Sequence, residues 1–258
     1  NGQIEKESNF TFENLISYTE YSYYENGEIK KKRNYKDGKK DGKWTSWNRN
    51  GGIEHERNYK DDKKNGKWTS YDENNQIRIE NHYKDGKKDG KSTWRNENDQ
   101  ILNEDHYKDG MKDGKWTRWN ENGQITGVEF YKNGKLNGKW TRWDKNGQIL
   151  FDNYYQYGNL VKLKYYDNNQ IRQEKQYKDG RLEMVTNWYE NGQKKLEQNF
   201  KDVDVKNGKS IGWYENGQIM GVEFYEIGKL NGKWTRWDKN GQIIKKKTYK
   251  DGVCTSGC

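Results

Sequence analysis

The sequence predicts an all-β fold, an elongated and twisted antiparallel meander built from tandem β-hairpins of about 24 residues. The first observation is the period. An Asn that usually begins an Asn-Gly step recurs from Asn1 to Asn240 at spacings of 22 to 25 residues. The second is register, because an Ile follows that Asn by three positions in ten of eleven units. The third is composition, with 28 Gly and no Pro, which suits strands joined by tight turns.

The composition concentrates the apolar surface in aromatic side chains. Hydrophobic residues make up 29% of the chain and charged residues 34%, a balance that would normally indicate disorder. The 12 Trp and 20 Tyr nevertheless recur in register, so they can form a thin continuous core. No stretch approaches the ~18–20 apolar residues of a membrane span. The net charge of +9 favours anionic partners, although Lys and Asp interleaved in each unit are also typical of a soluble rim.

The first strand pair of each unit is clearest between residues 115 and 131. Lys115–Asn120 and Gln124–Tyr131 both alternate apolar and polar residues and are rich in strand formers. A three-residue loop, Glu121–Gly123, with left-handed Gly would set Trp119 opposite Ile125. A two-residue Asn-Gly loop would instead pair Asn120 with Ile125. We prefer the three-residue loop because it pairs apolar side chains.

The second turn of each unit has the pattern Tyr-Lys-Asp-Gly-Lys, as in Tyr35–Lys39 and Tyr83–Lys87. Asp-Gly between alternating segments is a strong hairpin signal. Every connection is therefore short, and the strands should pair with their sequence neighbours.

One repeat domain, residues 1–258, is predicted, with about ten units. The first unit, 1–34, is irregular, and the final unit, 249–258, is partial. The units within 152–207 are degenerate and include an insertion at Val203–Val205. A local bend is expected there rather than a domain boundary, because no linker composition appears.

Two aromatic columns run through the repeats at odd offset, so they should lie on opposite faces of the strands. One column pairs with Ile and is predicted to form the structural core together with two of those Ile residues: Trp47, Tyr71, Trp119, Trp143, Trp188, Trp213, Trp237, Ile125 and Ile149. The other is rimmed by Lys and is the candidate partner-binding face: Trp44, Trp68, Trp116, Trp140 and Trp234. Packing of this second column against turn side chains is the alternative.

No catalytic constellation is found, and we expect neither enzymatic activity nor a cofactor or metal. Of the three histidines, His55, His82 and His106, the last two occupy one column of the repeats that elsewhere holds unrelated residues. The turn Asp residues fit no calcium-loop spacing and are explained by turn formation. Cys254 and Cys258 can form a small terminal disulfide in an oxidising compartment, and a reduced pair is equally compatible with the sequence.

The cassette Tyr-x-(Asp/Asn)-Gly-Lys-x-x-Gly-x-Trp-x-x-(Trp/Tyr)-x-x-Asn-Gly-Gln-Ile, seen at Tyr131–Ile149 and Tyr225–Ile243, resembles the bacterial variant of the MORN repeat found in YwqK-type antitoxins. The resemblance covers almost the whole chain and implies β-hairpin repeats that serve as non-catalytic protein-binding scaffolds. It also implies export by host-associated bacteria in many members, toxin neutralisation in some, and links to phospholipids elsewhere. A fainter likeness to choline-binding cell-wall repeats lacks their runs of adjacent aromatics.

The functional hypothesis is a non-enzymatic scaffold, secreted or at the cell surface, that binds a protein partner along its aromatic face. The start of the chain within a unit and without Met motivates the extracellular assignment, with a cytoplasmic location as the alternative. An antitoxin and a module binding anionic lipid or glycan are the rival hypotheses. Nucleic acid is not an expected partner, whereas homo-oligomers or end-to-end association are compatible with the repeats.

Overall fold

The computed structural model describes residues 4–10, 16–202 and 205–258, and within them the chain forms strands and turns without a helix. This confirms the predicted all-β class. The strands are β1 Ile4–Phe10, β2 Ile16–Tyr23, β3 Ile29–Lys36, β4 Lys39–Lys40, β5 Gly42–Trp47, β6 Ile53–Lys60, β7 Lys63–Tyr71, β8 Ile77–Lys84, β9 Lys87–Arg95, β10 Ile101–Lys108, β11 Met111–Lys112, β12 Gly114–Trp119, β13 Ile125–Lys132, β14 Lys135–Leu136, β15 Gly138–Trp143, β16 Ile149–Gln156, β17 Asn159–Asp167, β18 Gln170–Lys178, β19 Arg181–Trp188, β20 Lys194–Asp202, β21 Val205–Trp213, β22 Ile219–Glu226, β23 Lys229–Leu230, β24 Gly232–Trp237, β25 Ile243–Lys250 and β26 Val253–Ser256.

The chain divides into two compact units, each an antiparallel meander in which strands pair with their sequence neighbours. The first unit comprises Asn1–Thr126 and Phe130–Lys135, and the second comprises Gly127–Glu129 and Leu136–Cys258. The prediction of one repeat domain stays a prediction.

The three-residue loops have the predicted register. The amide of Asn120 donates to the carbonyl of Gln124 (2.9 Å), and Gly123 has a φ of +76°. In the equivalent hairpins, Trp47 pairs with Ile53 and Trp143 with Ile149. A register shift beside each of these pairs marks a β-bulge, which lets the aromatic and the Ile face the same side.

The Asp-Gly turns are two-residue hairpin loops in which both residues have positive φ. In the first, Lys36 pairs with Lys39 around Asp37 (φ 49°) and Gly38 (φ 74°). Positive φ at both positions is the type I′ geometry that matches strand twist. It explains why Asp, Asn and Gly recur there.

The turns of neighbouring repeats are joined by a second set of hydrogen bonds. The amide of Gly110 donates to the carbonyl of Lys88 (2.8 Å), and that of Asp109 to the carboxylate of Asp89 (3.1 Å). The turn Asp residues therefore cap turns of the following repeat, in keeping with the structural role predicted for them.

Residues 152–202 keep the meander although the cassette has degraded. Tyr166 pairs with Ile171 across a two-residue loop, Asn168-Asn169, in which both residues have positive φ. This shorter loop accounts for the reduced repeat spacing in the sequence. Residues 203 and 204 of the predicted insertion lie outside the described residues, as do residues 11–15, which fall within the irregular first unit.

Gly114 provides a test of this backbone. Its φ is +103°, and a Cβ there would lie 3.3 Å from Cβ of His106. We expect Gly114→Ala to lower the free energy of unfolding by about 2 kcal/mol in urea denaturation, because it adds left-handed strain to a close contact. Gly123→Ala is the control, with positive φ but no heavy atom within 4 Å, and should cost about 1 kcal/mol. Equal losses would contradict the close approach.

Candidate functional site: a lysine-capped aromatic ladder

Tyr and Trp rings from successive strands stack into a ladder along one face of the first unit. Tyr35 and Trp44 have ring centres 5.2 Å apart, and Trp44 and Tyr59 are 5.0 Å apart. These are favourable tilted aromatic contacts. We call the series the aromatic ladder, and the face that carries it the aromatic face. The ladder consists of Tyr18, Tyr35, Trp44, Tyr59, Trp68 and Tyr83, then Tyr107, Trp116 and Tyr131.

The indole nitrogens of the ladder are used internally. Nε1 of Trp44 donates to the carbonyl of Asn34 (2.9 Å), and Nε1 of Trp116 to that of His106 (3.0 Å). Burial raises the pKa of Tyr83 and of Tyr107, as expected for phenols removed from water. The ladder is therefore a packed structural element.

A Lys covers the ladder at each repeat. Lys112 Nζ lies 3.9 Å from the ring centre of Trp116 and 4.6 Å from that of Tyr131. Lys40 and Lys64 take the same place over the preceding rings, at 4.9 and 4.3 Å from the Trp centres. Such cation–π contacts contribute roughly 0.5–2 kcal/mol each. At two strands per repeat, these ammonium groups recur about every 10 Å.

The ladder is interrupted where Ser92 takes the place of a Trp. Its hydroxyl donates to Asn81 Oδ1 (2.7 Å). Trp94, which the sequence shows displaced by one position from the core column, is 52% exposed and pairs with Ile79 on the neighbouring strand. Lys88 still lies over Tyr107, 4.8 Å from its centre.

In the second unit the ladder positions have other partners. Trp140 contacts Phe151 edge-on at 5.3 Å, and its Nε1 is buried without a partner among the described residues. Trp234 Nε1 donates to Glu223 Oε1 (3.2 Å). Lys206 lies over Tyr225, 4.9 Å from its centre.

The burial of the two columns differs from the sequence-based assignment. Trp116, assigned to the partner-binding face, is 5% exposed and belongs to the buried core. Ile125, assigned to the core, is 41% exposed, so its core assignment is wrong. The reason is that the ladder rings cover one another, whereas the Ile beside each loop packs on one side only. The remaining residues of both columns are half-buried: Trp44, Trp68, Trp140, Trp234, Trp47, Tyr71, Trp119, Trp143, Trp188, Trp213, Trp237 and Ile149.

The opposite face carries the second aromatic column together with paired charges; Tyr71 Oη, for example, donates to Glu56 Oε2 (3.1 Å). Lys91 Nζ lies 2.5 Å from Glu104, and Lys139 Nζ 2.9 Å from Asp152; Lys43 with Glu56 and Lys67 with Glu80 form the same pairs. Between these pairs runs a row of buried Thr: Thr45, Thr69, Thr93, Thr117 and Thr141. Lys43, Lys67 and Lys139 of the Gly-Lys-Trp steps are thus neutralised, as is Lys91 of the equivalent Gly-Lys-Ser step. Within the described residues, the Lys residues over the Trp rings of the ladder have no such carboxylate partner.

Asp152 is the most buried acid of this row, with 2% of its surface exposed. It accepts hydrogen bonds from Thr141 Oγ1 (2.6 Å) and Tyr166 Oη (2.8 Å), beside the Lys139 ammonium. Burial alone would raise the pKa of Asp152, but these donors and the Lys139 charge hold it below its usual value. The group is structural, because every polar atom of Asp152 faces a partner.

The histidines and cysteines also have structural partners. Nδ1 of His82 lies 2.9 Å from the carbonyl of Lys91, and His106 makes the equivalent contact with Lys115. Cys254 and Cys258 form a disulfide. Within the described residues, no cluster of three or more His, Cys, Asp or Glu could hold a metal ion, and no helix is long and apolar enough to cross a membrane.

Sequence reasoning missed two parts of this site. The turn Tyr alternates with Trp in the ladder, and in the first unit the Lys two positions before Gly-Lys-Trp caps it, whereas Leu136 and Leu230 stand there in the second unit. Both residues recur at the repeat period, so their recurrence was visible in the sequence. Recurrence alone does not show which side chains stack.

These features define the class of protein: a tandem β-hairpin repeat protein that displays rows of side chains on the two faces of its strands. A family model described as the MORN repeat variant matches ten segments, residues 19–37, 40–61, 64–85, 88–109, 112–133, 136–157, 160–179, 185–202, 206–226 and 230–251. The chain belongs to this MORN repeat variant family. Repeats of this kind are non-catalytic scaffolds that generally bind proteins or membranes. No curated protein matches the chain at a significant level.

Proposed function

We propose that this chain is a scaffold that binds an acidic segment of a protein partner along the aromatic face of its first unit. One observation carries the proposal. On this face Lys40, Lys64 and Lys112 lie over rings and form no ion pair with a carboxylate of the described residues. On the opposite face Lys43, Lys67 and Lys91 are paired with acids. The aromatic face therefore presents a row of ammonium groups that is available to an acidic ligand.

The spacing favours an extended polypeptide as the ligand. Ammonium groups about 10 Å apart match carboxylates at every third residue of a polyproline II segment, which has three residues per turn and rises roughly 3.1 Å per residue. Each of these Lys side chains already lies against a ring before a ligand binds, which reduces the side-chain freedom that binding would cost.

The proposal is tested by binding to immobilised poly-L-glutamate as the acidic probe. We expect the triple variant Lys40→Gln, Lys64→Gln, Lys112→Gln to weaken binding by about tenfold or more, and raising the salt to ~0.5 M to do the same. The matched control removes three Lys residues from the opposite face, at positions 43, 67 and 91, and should change affinity less than about threefold. Equal losses in both variants would mean that net charge alone drives binding.

We further propose that the protein works outside the cytoplasm, at the cell surface or secreted. The Cys254–Cys258 disulfide supports this, because disulfides persist in oxidising compartments. Among protein partners, a toxin fits the resemblance to antitoxin proteins. Thiol labelling of the protein taken directly from its source tests the compartment, and labelled cysteines there would count against export.

A further inference from the structure

Ser46 forms the floor of a cavity on the aromatic face of the first unit. It pairs with Lys31 on one neighbouring strand and with His55 on the other, and Trp44 lies two residues before it on the same face. Ser has the smallest of these side chains, so the longer side chains around it enclose a cavity of about 300 Å³. Arg33 and Arg57 complete the wall.

The cavity is rich in cations that the protein does not neutralise. Arg33 pairs with Glu20 (3.1 Å). Lys31 and Arg57 form no ion pair with a carboxylate in the described part of the chain. Glu54 lies at an exposed position on the rim and offsets only part of this charge.

The floor of the cavity holds an unsatisfied polar atom. Ser46 Oγ is buried and has no hydrogen-bond partner in the described residues. A buried hydroxyl without a partner costs roughly 1–3 kcal/mol, so it marks a position where an acceptor would be favoured.

The same place in a later repeat is occupied by a carboxylate of the chain itself. Glu223 accepts from Trp234 Nε1 (3.2 Å), from Tyr225 Oη (2.7 Å) and from Arg236 (3.3 Å). In strand register Trp234 corresponds to Trp44 and Arg236 to Ser46. The earlier repeat replaces Glu223 by Arg33 and Arg236 by Ser46, which removes the internal carboxylate and opens the space it shared with the arginine.

We propose that this cavity receives the carboxylate of an Asp or Glu side chain from the acidic partner, held by Arg57, Lys31 and the Ser46 hydroxyl. The site rests on the proposed function and gives it a fixed anchor point.

The test is a titration of the full chain with a capped tripeptide, acetyl-Gly-Glu-Gly-amide, followed by NMR at His55 and at the Trp44 indole. We expect saturable shifts at both, with a dissociation constant of the order of millimolar. Burial and the Arg57 charge lower the pKa of His55, so a bound carboxylate should raise that pKa. Arg57→Gln should weaken the peptide at least about fivefold; it alters an exposed side chain, so folding is not at risk.

Lys145→Gln is the control, because it removes the same charge from an exposed loop of the other unit. It should leave the titration unchanged. Absence of saturable shifts, or equal weakening by both variants, would overturn the site. Shifts with inorganic phosphate but none with the tripeptide would overturn the carboxylate assignment. Poly-L-glutamate binding that persists in Arg57→Gln while the tripeptide shifts are absent would reject the cavity and leave the wider proposal standing.

Discussion

Trp116→Ala is expected to lower the free energy of unfolding by about 3–5 kcal/mol, the usual cost of deleting a buried Trp ring. Trp116 is 5% exposed, touches Tyr107 and Tyr131 with ring centres 5.3 and 5.1 Å away, and donates to a main-chain carbonyl. Its removal opens a gap between hairpins that contact only their neighbours. Urea denaturation followed by circular dichroism measures the loss.

The control is Trp94→Ala, in the neighbouring repeat. Trp94 is 52% exposed and outside the ladder, so its loss should cost less than about 1 kcal/mol. If the two substitutions cost the same, the ladder does not hold the hairpins together. If Trp116→Ala leaves stability unchanged but weakens poly-L-glutamate binding, the ring is a contact residue, as the sequence alone suggested.

Asp152→Asn is expected to lower the free energy of unfolding by about 2–4 kcal/mol at pH 7, because it removes a buried charge held by three partners. The effect should depend on pH. The folded pKa of Asp152 lies below the unfolded value of about 3.9, so its stabilisation is present above that value and is lost as the pH falls through the folded pKa. Stability measured at pH 7 and pH 3 should show the difference from wild type shrinking in acid.

Asp179→Asn is the matched control for this substitution. Asp179 is an exposed turn residue with a φ of 50°, and Asn occupies the equivalent turn position at Asn133. We expect a change below about 0.5 kcal/mol at both pH values. A constant difference for Asp152→Asn across the pH range would show that its carboxylate is not stabilised in the folded state.

The fold was predictable because its determinants are local and repeated. The spacing of Asn and Ile determined the loop length, and the structure confirms the pairing of Trp143 with Ile149 that this loop requires. The Asp-Gly turns were equally readable, since positive φ restricts which residues fit. Tyr107 and Trp116 also recur with the repeat period, but the period alone does not show that their rings stack on each other.

The candidate site was less predictable because burial depends on neighbours in space. Trp116 and Ile125 both look apolar in the sequence, yet one is covered by two rings and the other is left open at a loop. Whether Lys139 pairs with Asp152 or extends into solvent depends on which residues face each other across two strands. The cavity above Ser46 depends on the same cross-strand placement, because a serine in a strand is unremarkable by itself.

The two-faced charge distribution links fold and function. On one face, Lys and acid alternate across strands and satisfy each other; on the other, Lys meets aromatic rings, which attract cations without neutralising them. The same chain can thereby present Lys residues that are paired with acids on one face and Lys residues that lie over rings on the other. This division is why the matched triple variants distinguish specific binding from bulk charge.

The central claim is that Tyr and Trp rings of successive hairpins stack on each other in the first unit, on both sides of the break at Ser92. Nuclear Overhauser contacts between rings, in protein labelled selectively at Tyr and Trp, test it most directly. We predict ring-to-ring contacts from Trp116 to both Tyr107 and Tyr131, as required by centre distances of 5.3 and 5.1 Å. Contacts to neither Tyr, with a Trp116 indole that exchanges rapidly with water, would contradict the account.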